Sequence, residues 1–262
     1  MGGSRRSIRL TFLALVLTGA IACTDTVAPV GDREGDATPS VSLAVAVGSA
    51  GAAASSAPSF DLMFNDGANT LDISRVAIVL REVELKLVED DDCEDSSDGD
   101  DDDCEEFEVG PFLLELPLDG EVVHLVSLDD VTPGIYDELE FDIHKLDDDT
   151  PEDLALLAEH PDFRDVSIRV EGTFNTVSFT FLTDLNEEQE LDLVPPLVIG
   201  QETSTTVTLL LDVESWFRLG DGTLIDPVTA NKGGENENLV RDSIRDSIEG
   251  FEDEDQDGSE DD

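Results

Sequence analysis

From residue 60 onward the chain alternates between apolar and polar side chains in short stretches. Val83-Glu84-Leu85-Lys86-Leu87 repeats every second residue, the period of a strand with one buried face. Just upstream, Val76-Ala77-Ile78-Val79-Leu80 is continuously apolar, which predicts a strand covered on both faces. Further strands are expected at 60–64, 107–118, 122–127, 138–144, 166–172, 177–182, 189–194 and 205–213. Asn65-Asp66-Gly67 reads as a turn, and Phe174-Asn175-Thr176 as the tip of a hairpin. Val207, Leu209, Leu211 and Val213 share one face of the last strand.

Two segments switch to helical spacing. Thr150-Pro151-Glu152-Asp153 offers a capping hydroxyl, a proline for the first turn and acids for the helix N-terminus. It introduces LALLAEH, which stops before Pro161. Leu239, Val240, Ile244 and Ile248 recur at helical intervals after Asn236 or Asn238 as cap, with Phe251 placed to dock that helix on the sheet. Many short strands with few helices predict a mainly β protein, an antiparallel β-sandwich of immunoglobulin- or transthyretin-like layout with two short helices. No βαβ alternation and no repeat of 20–50 residues argues for a doubly wound or solenoid fold.

The ends read differently. Arg5, Arg6 and Arg9 precede the apolar run LTFLALVL, and small residues follow up to Cys23. This is the layout of an export signal, too short for a membrane span. Ala20-Ile21-Ala22-Cys23 resembles a bacterial lipobox, which implies a signal over 1–22, lipidation of Cys23 and attachment to a membrane through that lipid. Thr24 stands where an aspartate would favour inner-membrane retention, so the resemblance implies the outer membrane, on its periplasmic face or at the cell surface. Residues 23–58 contain few large side chains and read as a flexible linker. The folded domain is expected over 59–251, and 252–262 as a disordered acidic tail.

Charge sharpens this picture. The 262 residues hold 64 acids and 14 Lys or Arg, a formal net charge of −50. Such a surface repels phosphate backbones, so nucleic acid is not an expected partner. The acids are unevenly spread: 89–106 holds 13 and 252–262 holds 8.

The loop 89–106 carries the main candidate chemistry. Cys93 and Cys104 bracket it, and in an exported protein they are expected to form a disulfide. With Gly99 as the sixth position of a twelve-residue calcium loop, Glu94, Ser96, Asp98, Asp100 and Asp102 fall at oxygen-ligand positions. Glu105 falls at the bidentate twelfth. The competing reading is a solvated acidic loop, and Ca²⁺ is the one cofactor these residues suggest. Asp253-Glu254-Asp255-Gln256-Asp257-Gly258 matches the first half of a calcium loop, but its twelfth ligand would lie beyond Asp262, which favours a plain tail. His124, His144 and His160 are scattered and read as structural; copper through His124 and His144 is the metal-handling alternative. Ser215 lacks a Gly-x-Ser-x-Gly context, and no phosphate loop or zinc-protease motif is present. No catalytic residue can be named, and the expectation is a non-enzymatic module with a cell-surface protein or glycan as partner.

LDISRVAIVLREVELKL at 71–87 and HLVSLDDVTPGIYDELEFDIHKL at 124–146 resemble a family of bacterial exported lipoproteins with a β-sandwich domain of unknown function. The matching residues are the strand at 78–85, the strand at 124–128 and the Pro133-Gly134-Ile135-Tyr136 turn. The resemblance implies a fold and a location and assigns no activity.

Overall fold

The long apolar run around residue 78 becomes the organising strand of the molecule. The computed structural model describes residues 38–48, 62–88, 110–129, 131–201, 203–253 and 255–258. Eleven strands are present among them: β1 (Ser40–Val47), β2 (Leu62–Asn65), β3 (Thr70–Leu87), β4 (Phe112–Glu115), β5 (Val123–Asp129), β6 (Gly134–Ile143), β7 (Ile168–Phe174), β8 (Val177–Thr183), β9 (Glu187–Ile199), β10 (Ser204–Leu211) and β11 (Ile248–Glu252). Helices α1 (Pro151–Glu159), α2 (Val213–Trp216) and α3 (Glu237–Arg245) interrupt them. The described residues belong to one compact unit, Asp36–Asp262.

The strands form two sheets. One has four strands in the order β11-β10-β1-β5. The other has seven, with the path β8-β7-β3-β6-β9 and with β2 and β4 also paired to β3. Their inner faces share one apolar cluster: Val41, Leu43, Val45, Val207, Leu209 and Leu211 from the first sheet meet Ile73, Ile78, Leu139, Phe141 and Phe181 from the second. This is the expected β-sandwich. Burying each such side chain is worth about 1.5–3 kcal/mol.

Strand β3 is buried on both faces, as its continuous apolar run predicts. Val76, Ile78 and Leu80 enter the main core. Ala77 and Val79 enter a second cluster with Leu146, Leu157, Phe163 and Val166, beneath α1. The β7–β8 hairpin turns through Asn175 and Thr176, both with positive φ, the backbone of a tight two-residue turn.

Four expectations need correction. The linker read over 23–58 contains strand β1, whose Val41, Leu43 and Val45 are fully buried. Its Ser/Ala positions alternate with Val/Leu, so a segment of small residues still presents an apolar edge every second position. β1 runs parallel to β10 and antiparallel to β5, so the sandwich is not purely antiparallel. The C-terminal helix ends at Arg245, and Ile248 and Phe251 belong to strand β11, paired with Leu211 and Thr208. The fourth correction concerns the tail. Asp253 is fully buried, and residues 255–258 continue over the four-stranded sheet.

Candidate functional site

The predicted site residues Cys23, Cys93, Glu94, Ser96, Asp98, Asp100, Asp102, Cys104 and Glu105 all lie outside the described residues, as does the whole loop 89–106. The described residues offer three other concentrations of polar groups.

The first is the turn at the end of the chain. Strand β10 presents Thr206 and Thr208 on the face opposite its core residues Val207 and Leu209. Thr208 Oγ1 donates to Asp253 Oδ2 at 2.9 Å, and Gln256 Nε2 donates to Thr206 Oγ1 at 3.2 Å. The backbone then folds back on Asp253: the N–H of Asp257 reaches Oδ1 at 3.0 Å, and that of Gly258 reaches Oδ2 at 3.1 Å. Gly258 has φ +80°, a conformation that favours glycine. A Cβ there would lie 3.2 Å from Val122 Cγ2 and 3.6 Å from Ala46 Cβ, so this turn covers β1.

This turn gathers three carboxylates. Asp253, Asp255 and Asp257 each bring one oxygen within 4.8 Å of the others, a separation that two Ca²⁺–oxygen bonds of about 2.4 Å can span. The D-x-D-x-D-G spacing places these side chains at positions one, three and five, with glycine at six. The sequence carries this spacing, but its missing twelfth ligand favours a plain tail; the burial of Asp253 against Thr208 of β10 is not legible in it.

The second is an acidic face on the seven-stranded sheet. Register places Glu84 opposite Glu140 and Lys86 opposite Glu138 across β3 and β6. It places Glu138 opposite Asp192, Glu140 opposite Glu190 and Asp142 opposite Glu188 across β6 and β9. Like charges directly opposite one another repel. Burial, a hydrogen bond with Glu140 and the charges of Glu140, Glu190 and Asp192 push the Glu138 carboxyl up to about 7. Glu188 is raised as well, chiefly by the charge of Glu140. Lys86 Nζ contacts Glu84 at 2.8 Å and Glu140 at 3.0 Å. Burial works against its charge, but these two carboxylates hold it more firmly protonated than usual.

The third is a polar cleft of about 320 Å³ between the end of β6, the start of α1 and residues 184–186. His144 and Asp153 lie there, both buried. His144 Nε2 sits 2.9 Å from each Asp153 oxygen. Asp153 also accepts the N–H of Asp147, while its own N–H is capped by Thr150 Oγ1. Capping by Thr150 and Pro151 at the first turn are as the sequence predicts.

His124 and His144 do not form a pair. His124 is on β5 of the four-stranded sheet, where it bonds Ser127 Oγ. Neither histidine joins a cluster of three potential metal ligands among the described residues. The copper site expected from that pair is therefore not assembled. Trp216 is fully buried with its Nε1 donating to Ser247 Oγ, so it serves the core. No helix among the described residues is long and apolar enough to cross a membrane. No family model matches the chain, and neither a curated protein nor a solved structure matches it.

Proposed function

We propose that the chain is an exported, lipid-anchored β-sandwich module, non-enzymatic, that binds Ca²⁺ and presents its surface to a cell-surface protein or glycan. The observation that carries the calcium part is the C-terminal turn, where three aspartates converge around a buried Asp253. Oxygen-only donors suit a hard cation, and Asp253 Oδ1, with one bond accepted, keeps a lone pair for it. The remaining ligands would come from backbone carbonyls and water. The bracketed loop 93–104 is a second carboxylate set of the same chemistry. The lipid anchor rests on the lipobox-like residues ending in Cys23, and the module class rests on the fold together with the resemblance at 71–87 and 124–146.

Thermal melting of the full chain in millimolar Ca²⁺ against EDTA tests the calcium reading. Binding to the folded state alone raises the melting temperature by mass action. The rise should disappear in Asp255→Asn/Asp257→Asn, two exposed side chains whose loss spares the core. A rise lost only in Asp98→Asn/Asp100→Asn would assign the ion to the loop instead. A melting temperature indifferent to Ca²⁺ and to chelation would end the proposal for both. For the anchor, Cys23→Ser should release the protein from the membrane fraction; retention there would count against lipidation.

A further inference from the structure

Four buried side-chain atoms among the described residues lack a hydrogen-bond partner, and two of them belong to residues lining the His144 cleft: His144 Nδ1 and Arg81 Nε. A buried polar atom left unpaired costs about 1–3 kcal/mol; Arg81 Nε already has a Glu82 carboxylate beside it, so His144 Nδ1 is the atom that calls for a partner. His144 Nε2 faces both Asp153 oxygens, and with the N–H of the neutral ring directed there, Nδ1 is the lone-pair acceptor. Arg81 Nε lies 3.0 Å from a Glu82 oxygen, too poorly aligned for a hydrogen bond, while its Nη2 donates to Asp142 at 2.7 Å. Lys145 lines the same cleft with no ion-pair partner among the described residues. Asn186 uses its Oδ1 on the Lys145 N–H, which leaves its amide N–H₂ as a further donor.

The cleft thus offers cationic and amide donors together with one neutral acceptor. Asp147, Asp149 and Asp184 also line it; Lys232 and Arg241 pair with Asp184, while the other two carboxylates disfavour a doubly charged anion such as phosphate. Arg81 and Lys145 equally disfavour a bare metal ion. The volume sits at the small end of ligand pockets, which start at about 300 Å³. We propose that this cleft binds a small carboxylic acid carrying a hydroxyl or amino group. Its carboxylate would pair with Lys145 and Arg81, and its O–H or N–H would donate to His144 Nδ1. His144 Nδ1 is shielded from solvent. Binding therefore has to shift the side chains that cover it, and the bond it forms lies in a dry setting where it is stronger.

The experiment is a calorimetric and NMR titration of the full chain with sodium L-lactate, sodium D-glucuronate and L-serine. Acetate, a carboxylate without the second donor, is the control. At least one of the three should bind, acetate should bind at least about tenfold more weakly, and the ¹⁵N shift of His144 Nδ1 should move on saturation. Lys145→Ala, a partly exposed side chain without a structural partner, should fold and weaken binding by about tenfold. Arg75→Gln, a cation paired with Glu115 and Glu171 outside the cleft, should change nothing. No binding of any probe, equal binding of acetate, an unmoved His144 resonance, or undiminished binding in Lys145→Ala would overturn the proposal. Because the His144 shift is read in the unaltered chain, the result does not depend on a His144 variant folding.

Discussion

The acidic face and the C-terminal turn hold the same side chains and resolve their repulsion in opposite ways. On the face, carboxylates stand opposite carboxylates across β6 and β9, and the sheet register leaves few N–H groups to meet them. The answer there is proton uptake by Glu138 and a lysine shared between Glu84 and Glu140. In the turn, Asp253 receives two backbone N–H groups and a threonine hydroxyl, so a buried carboxylate stays satisfied. Acidity is therefore no single property of this protein. Where backbone donors converge it builds structure, and where they do not it stores electrostatic strain.

The sharpest way to break the comparison is Asp253→Ala. It strands the Thr208 hydroxyl and two N–H groups and uncovers the outer side of β1, so a loss of about 3 kcal/mol is expected. Urea unfolding would measure it, and a change below about 0.5 kcal/mol would mean the turn is ornamental. Glu138→Gln comes next, with the opposite sign. Its folded carboxyl titrates at about 7 against 4.5 for the free side chain. The native state thus holds a proton that the unfolded chain releases. The stability this gives is complete below pH 4.5 and lost as pH rises through 7. Discounted for partial exposure, the amount is about 1 kcal/mol. Wild-type melting temperature should therefore fall between pH 5 and pH 8, and Glu138→Gln should flatten that fall; a parallel fall in both proteins would reassign it to other groups. Lys86→Met removes the cation between Glu84 and Glu140 and should cost about 0.5–1 kcal/mol at pH 8, less at pH 5. The smallest effect is salt. Raising NaCl toward 0.5 M should recover about half of the Lys86→Met loss by screening, yet leave the Asp253→Ala loss unchanged, since its bonds are buried.

Much of the fold was legible because periodicity reports burial directly. The two-sided burial of Val76–Leu80, the hairpin at Asn175-Thr176 and the capped α1 all follow from local pattern. β1 was missed because its outward positions are Ser and Ala, so composition outweighed a period-two signal present in SVSLAVAV. Its outer positions Ala44 and Ala46 are buried, and Ala46 lies beneath Gly258 from the other end of the chain, a long-range fact no window of sequence holds. The site was less legible still. The D-x-D-x-D-G spacing was visible, but its docking depends on Thr206 and Thr208. The His144–Asp153 pair spans the end of β6 and the first turn of α1, and scattered histidines carry no mark of such a partner.

The position of β1 also has a mechanical meaning. β1 is an interior strand near the start of the described residues, eight residues long and bonded on both sides, to β10 and β5. A pull directed along that strand loads both ladders in shear, all bonds at once, instead of peeling them one by one. A domain held this way would stay seated under drag that would strip a terminal edge strand.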